Sequence, residues 1–140
     1  MDADSLGAVL TLSGQPEPAG RQHRRALMLF RQTGEEEGQV YALNGLGDAA
    51  HGTDDHEQAA GHHLAALAMA TDLACRDQQA RAHAGIARAR RASGDDASAR
   101  HHYRRALEIY TELGLPESAQ IRDALTAVET PPRGKGGTRR

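Results

Sequence analysis

The sequence predicts an all-α fold, a stack of helix–turn–helix hairpins, from three observations. First, the chain matches itself without a gap when it is shifted by 40 residues, so that Ala26-Leu27 falls on Ala66-Leu67 and then on Ala106-Leu107. Second, apolar residues recur at helical spacing within each period. Third, Gly- and Asp-containing turns divide each period into two helices. A fixed period of this length is typical of stacked repeats, each of which is too small to bury its apolar face alone.

Composition favours closely spaced helices. The chain of 140 residues has no Trp, three Tyr and one Phe. Its core must therefore come from Ala, Leu and a few larger side chains. Ala, Leu, Arg, Glu and Gln are also strong helix formers. A single domain of this length can bury a modest core.

The third period shows how each hairpin begins and ends. Its turn contains Asp95, which can cap the helix that carries Ala99 and Tyr103 on its buried face. Gly114 and Pro116 end that helix, because Gly adopts the left-handed terminal conformation and Pro cannot continue the coil. The second period follows the same plan.

The periods define one repeat domain over residues 1–129. The first unit is short, because it lacks counterparts of residues 37–40, and seven helices are predicted in total. A basic tail without an apolar anchor follows and is expected to be disordered. The predicted boundaries are about 1–36, 37–76 and 77–116 for the three units, 117–129 for a closing helix and 130–140 for the tail.

These hairpins resemble those of the tetratricopeptide family. That family has small residues where two helices cross and an aromatic side chain between neighbouring hairpins. The resemblance implies a right-handed superhelical stack whose first helices line a concave face. His23 and His63 take the place of Tyr103, and we interpret their imidazoles as smaller packing wedges. The matching positions are Ala59, His63 and Ala66 in the second unit and Ala99, Tyr103 and Ala106 in the third.

The period is longer than the usual one of about 34 residues. This longer variant resembles the C-terminal repeats of large actinobacterial antibiotic-pathway regulators. The phrases that carry the resemblance are Ala-Leu-Asn-Gly-Leu-Gly at 42–47 and Arg-Ala-Leu-Glu-Ile-Tyr-Thr-Glu-Leu-Gly at 105–114. Nothing in the chain resembles a DNA-binding or nucleotide-binding region, so the resemblance covers the repeat module alone.

The repeat register predicts which residues face the groove. Three arginines on one helix, at i, i+7 and i+10, suit a carboxylate or phosphate, because the guanidinium fork binds such groups bidentately. Asp4, at the matching place in the first unit, would repel a carboxylate, and an ordinary solvated charged face explains the same residues. The residues predicted to contact a partner are Tyr41, Asn44, Asp48, Arg81, Arg88 and Arg91. Others predicted to face the groove are Asp4, Ala8, His51, Ala84 and Ile121.

No catalytic or metal-binding pattern emerges. The eight His residues include no His-Glu-x-x-His spacing, and a single cysteine excludes Cys-x-x-Cys. Cys75 aligns with Leu115 of the next unit and is interpreted as a packing position. We therefore expect a protein that is not an enzyme and that has no cofactor or metal.

Charge and cysteine content restrict the partners and the compartment. All 19 acidic residues lie at or before Glu129, so the repeat domain is acidic and disfavours nucleic acid. A single cysteine suits a reducing compartment. There is no signal segment and no apolar run of about 18 residues. We expect a cytoplasmic protein that does not span a membrane.

The preferred hypothesis is an interaction scaffold that binds a peptide or protein segment in its concave groove. One alternative is the sensory or oligomerising module of a transcriptional regulator, because an uncovered apolar end of the stack favours a homodimer. The other alternative is a small-molecule-binding protein for a pathway product. The low aromatic content disfavours the last of these, since ligand pockets are mostly apolar and aromatic.

Overall fold

Six α-helices, each packed against the next, make up the computed structural model, which describes residues 16–129. Helices α2 and α4, which are not neighbours in sequence, also contact each other. The predicted helical stack is confirmed over these residues, whereas the first of the seven predicted helices and the basic tail lie outside them. The helices are α1 (Pro16–Thr33), α2 (Glu36–Gly52), α3 (His56–Leu73), α4 (Arg76–Ala92), α5 (Asp96–Leu113) and α6 (Glu117–Glu129).

The turns repeat the same geometry in successive units. Asp55 and Asp95 each accept a hydrogen bond from the backbone N–H three residues later, at 3.2 and 3.1 Å. The predicted cap at Asp95 is thus confirmed, and Asp55 caps the matching helix of the second unit. Gly114 ends α5 in the left-handed conformation with φ 68°, and Ala74 ends α3 in the same way with φ 57°. Because this conformation costs a non-glycine residue about 1–2 kcal/mol, the repeat imposes the turn even where no glycine is present.

Alanine dominates the core, together with a few larger apolar side chains. One cluster surrounds Val40 and Leu43 on α2, and another surrounds Ile109, Ile121 and Leu125 on α5 and α6. Small side chains let the helix axes approach closely, as the composition predicts. Polar side chains that are buried among the described residues are His23, Asn44, His63, Gln79 and His83.

Two buried imidazole rings fill spaces that glycine leaves open. The ring of His23 on α1 lies against Gly45 of α2. The ring of His63 on α3 lies between Gly47 of α2 and Gly85 of α4. A Cβ atom on any of these glycines would overlap the neighbouring ring, and both histidines are at most 1% exposed. The prediction that these histidines are packing wedges is confirmed.

A methyl group at position 85 should therefore destabilise the stack. We expect Gly85→Ala to lower the free energy of unfolding by about 1–3 kcal/mol, because the ring of His63 has no space into which to move. Gly61→Ala is the matched control: open space lies where its methyl group would point, and Ala at this helical position should add up to about 1 kcal/mol. Urea denaturation followed by circular dichroism measures both, and equal stability of the two variants would contradict the wedge.

Candidate partner-binding groove

A concave cavity of about 400 Å³ opens along α2, α4 and α6. The first helices of successive hairpins line it, as the repeat register predicts. Lining residues that were predicted to face the groove are Tyr41, Asp48, Arg81, Ala84, Arg88 and Ile121. Lining residues that the sequence did not indicate are His23, Tyr110, Glu117 and Gln120.

The four residues that were missed fall into two kinds. His23 and Tyr110 belong to the apolar stripes of α1 and α5 and are only 1% and 6% exposed, so the pattern assigns them to the core. Glu117 and Gln120 lie in the first turn of α6, the predicted closing helix. The repeat register predicts that Ile121 of α6 faces the groove, but it does not predict this for the helical turn before Ile121.

Asp48 is the centre of the polar contacts in this groove. Arg81 Nη2 donates a hydrogen bond to Asp48 Oδ2 at 2.8 Å. Arg88 Nη2 donates one to Asp48 Oδ1 at 2.7 Å. A carboxylate on α2 therefore holds two guanidinium groups of α4, and these charge-assisted bonds fix the positions of the two arginines.

The surroundings of Asp48 favour its ionised form. Burial raises the pKa of Asp48, but the charges of Arg81 and Arg88 oppose this effect, and the net direction is downward. The pKa of this carboxyl group consequently lies well below its ordinary range. Asp48 is therefore ionised at pH 7.

A buried polar layer lies directly behind Asp48. Asn44 is fully buried, and its Nδ2 donates to Gln78 Oε1 at 3.0 Å and to the Gln78 carbonyl oxygen at 3.3 Å. The Oδ1 atom of Asn44 accepts from His63 Nδ1 at 2.7 Å. Asn44 is thus placed to hold the imidazole and not to touch a partner in the groove, which departs from its predicted role.

The second nitrogen of His63 faces the carboxylate. His63 Nε2 lies 3.4 Å from Asp48 Oδ1 and has no hydrogen-bond partner. Burial lowers the pKa of His63, and the nearby Arg88 and Arg81 lower it further, against the opposing effect of Asp48. The ring is therefore neutral at pH 7, with its proton on Nδ1 and a lone pair on Nε2.

The exposed part of the groove combines an aromatic ring with cations. The guanidinium carbon of Arg81 lies 5.0 Å from the centroid of the Tyr41 ring, and Tyr41 is 37% exposed. Arg88 keeps 43% of its side chain exposed although it is paired with Asp48. Arg91 is exposed one turn further along α4 and does not line the cavity itself.

A second cavity, of about 430 Å³, lies on the other side of α2, between α1 and α3. Its α2 residues include Leu46 and Ala50, whereas Tyr41 and Asp48 face the concave groove, and helical spacing puts these pairs on opposite sides of the helix. The second cavity also has its own arginine pair at i, i+3, Arg21 and Arg24.

Two further findings concern residues 16–129. Within that range no group of three or more His, Cys, Asp or Glu side chains is arranged to hold a metal ion. None of the helices there combines the length and the apolar character that crossing a membrane requires.

This fold, six packed helices with a groove along the first helix of each hairpin, is that of tetratricopeptide-like helical repeat proteins. No family model matches the chain, and no curated protein matches it. A Rap protein complexed with competence and sporulation factor has a similar structure, with a TM-score of 0.85 and 19% sequence identity. The apo form of RapI is also similar, with a TM-score of 0.81 and 21% identity.

These similarities establish the fold of the chain. They cover 90% and 91% of this chain but only 36% and 47% of the Rap protein and of RapI. The chain therefore spans less than half the length of either protein.

The stabilising role of Asp48 can be tested with an amide substitution. Asp48→Asn should lower the free energy of unfolding by about 1–3 kcal/mol at pH 7, because two arginines lose their charged acceptor. Since folding depresses the pKa of Asp48, its contribution is present above the unfolded-state pKa of about 3.9 and is lost as the pH falls below that value. The difference between the variant and the wild type should thus be smaller at pH 3 than at pH 7.

Glu112→Gln is the control, because it removes an exposed carboxylate that pairs with Arg76. An exposed ion pair contributes little, and we expect a change within about 1 kcal/mol at either pH. Urea denaturation at pH 3 and pH 7 measures both variants. An equal effect of Asp48→Asn and Glu112→Gln would contradict a central role for Asp48.

Proposed function

We propose that this protein is a non-enzymatic interaction scaffold that binds a peptide or protein segment in the concave groove along α2, α4 and α6. The observation that carries this proposal is the arrangement around Asp48. There the ring of Tyr41 and the guanidinium groups of Arg81 and Arg88 face one cavity of about 400 Å³. Aromatic and arginine side chains that are already held in place suit recognition, since little side-chain entropy is lost when a partner binds.

The residues in and beside the groove have distinct roles in this proposal. Arg81 lies over the ring of Tyr41, and together they offer apolar area and a cation to an extended segment. Arg88 and Arg91 supply donors for carbonyl or acidic groups, because both are exposed. Asp48 holds Arg81 and Arg88 in position.

The comparison structures support a binding role for such a stack. One of them is a Rap protein in complex with competence and sporulation factor, so a stack of this fold forms part of a protein that binds another factor. We propose the same class of role here, in the cytoplasm and without a cofactor. We further propose that the chain is a repeat module similar to those found in actinobacterial regulators.

A charge reversal in the groove should abolish this binding. A displayed library of random dodecapeptides would first be selected on the wild-type protein. We expect Arg88→Glu with Arg91→Glu to weaken the selected peptides at least tenfold, which corresponds to about 1.4 kcal/mol, while helicity stays unchanged. Fluorescence anisotropy with labelled peptides measures the affinity, and circular dichroism measures the helicity.

Arg21→Glu with Arg24→Glu is the matched control, because it reverses the same charges at the same spacing on the other side of α2. These variants should retain wild-type affinity. If the double variant at Arg88 and Arg91 still binds the peptides, or if both double variants weaken binding equally, the assignment of the groove is wrong.

A second candidate is the oligomerising module of a regulator, and exposed apolar residues on α1 favour it. Met28 and Leu29 are large apolar side chains, yet they are 58% and 50% exposed. If α1 pairs with a second copy, light scattering should show a dimer at high protein concentration, and Met28→Lys with Leu29→Lys should return it to a monomer. A wild-type monomer at every concentration would remove this candidate.

A further inference from the structure

Two groups face the same carboxylate oxygen in the groove. Arg88 Nη2 lies 2.7 Å from Asp48 Oδ1 and donates to it. His63 Nε2 lies 3.4 Å from the same oxygen and, in the neutral ring, has no proton to donate. Only one of these two groups therefore stabilises Oδ1 in the unliganded groove.

The ring of His63 cannot turn away from this oxygen. Its Nδ1 is bound to Asn44 at 2.7 Å, and its other side is enclosed by Gly47 and Gly85. The ring is also fully buried, so Nε2 is shielded from bulk solvent. The remaining way for Nε2 to form a hydrogen bond is to take up a proton and donate it to Asp48.

Charged and titratable groups from three helices decide whether that proton binds. Asp48 on α2 favours it. Arg81 and Arg88 on α4 oppose it, as does burial, and His62 is the titratable neighbour of His63 on α3 itself. Moving the guanidinium of Arg88 away from Asp48 removes one opposing charge and leaves the carboxylate short of a donor. Both changes favour protonation of His63.

We propose that His63 and Arg88 compete for Asp48, so that the groove binds an anionic segment through the released Arg88 and takes up one proton at His63. This inference rests on the proposed function and adds the charge of the partner and its link to pH. The proton comes from solvent and binds to His63 Nε2, which then donates to Asp48 Oδ1 while Arg88 turns to the anion. His63 acts here as a positioning residue, since it does not touch the partner.

Linkage determines the sign of the pH dependence. If ligand binding takes up a proton, a lower pH strengthens binding, by at most about tenfold per pH unit for one proton. By reciprocity, the anionic ligand must raise the fraction of protonated His63 at a fixed pH. A groove in which Asp48 only orients the arginines would show neither effect.

The probe is a fluorescein-labelled hexapeptide of aspartate, with the asparagine hexapeptide as the neutral control. Anisotropy titrations between pH 5.5 and 8 keep the aspartate side chains ionised. We expect the wild-type protein to bind the aspartate peptide more tightly as the pH falls. Asp48→Asn should bind it about tenfold more tightly at pH 8, because Arg88 has lost its charged internal partner, and should lose the pH dependence. Glu112→Gln is the control and should behave like the wild type.

A readout in the wild-type protein removes any dependence on how well the variant folds. Imidazole ¹⁵N chemical shifts of His63 report its protonation directly. Adding the aspartate peptide at pH 6.5 should shift His63 towards the protonated form, and the asparagine peptide should leave it unchanged. In the unliganded Asp48→Asn variant the pKa of His63 should fall, because the carboxylate that favours the proton is gone.

Three results would overturn the inference: weaker binding of the aspartate peptide by Asp48→Asn, an unchanged pH slope in that variant, or no change at His63 when the peptide binds. Failure of the aspartate peptide at every pH, while library-selected peptides still bind and still depend on Arg88 and Arg91, would also overturn it but leave the proposed function intact. A library that yields no groove-dependent peptide would instead count against the proposed function.

Discussion

Close approach between successive hairpins is the constraint on which the rest of this structure depends, and buried imidazole rings and glycines satisfy it together. Because Gly47 on α2 and Gly85 on α4 lack Cβ atoms, both helices can approach α3 closely enough for the ring of His63 to fill the gap. His23 and Gly45 form the same contact one unit earlier. With alanine elsewhere in the core, these rings set the spacing of the helices, and that spacing brings α2 and α4 into contact.

Contacts across the groove join equivalent positions of successive units. Asp48 and Arg88 are 40 residues apart, and so are Tyr41 and Arg81. Each unit therefore presents a different side chain at the same place, and neighbouring side chains pair across the boundary between hairpins. An acidic or aromatic residue in one unit and an arginine in the next turn a repeated backbone into a specific surface.

The imidazole of His63 also connects the packing of the stack to the chemistry of the groove. Its Nδ1 is held by Asn44 in the buried layer, and its Nε2 faces Asp48 on the concave surface. A ring that is needed for packing is thereby placed between a buried amide and a partly exposed carboxylate. In the third unit the equivalent residue is Tyr103, which packs in the apolar cluster with Ile121 and Leu125, so the third unit has no imidazole at this place.

The sequence by itself determined the helices, the capped turns, the wedge positions and the helix faces that line the groove. All of these follow from local spacing: a helical period of apolar residues, Asp and Gly at turns, and a register that repeats every 40 residues. The tertiary structure alone decided that Asn44 is buried, that Asp48 holds two arginines and that Tyr110 reaches the cavity. Those outcomes depend on how far each helix is rotated about its axis and how closely its neighbour approaches. A difference of one ångström or a fraction of a turn there changes which side chains meet, and no local pattern records it.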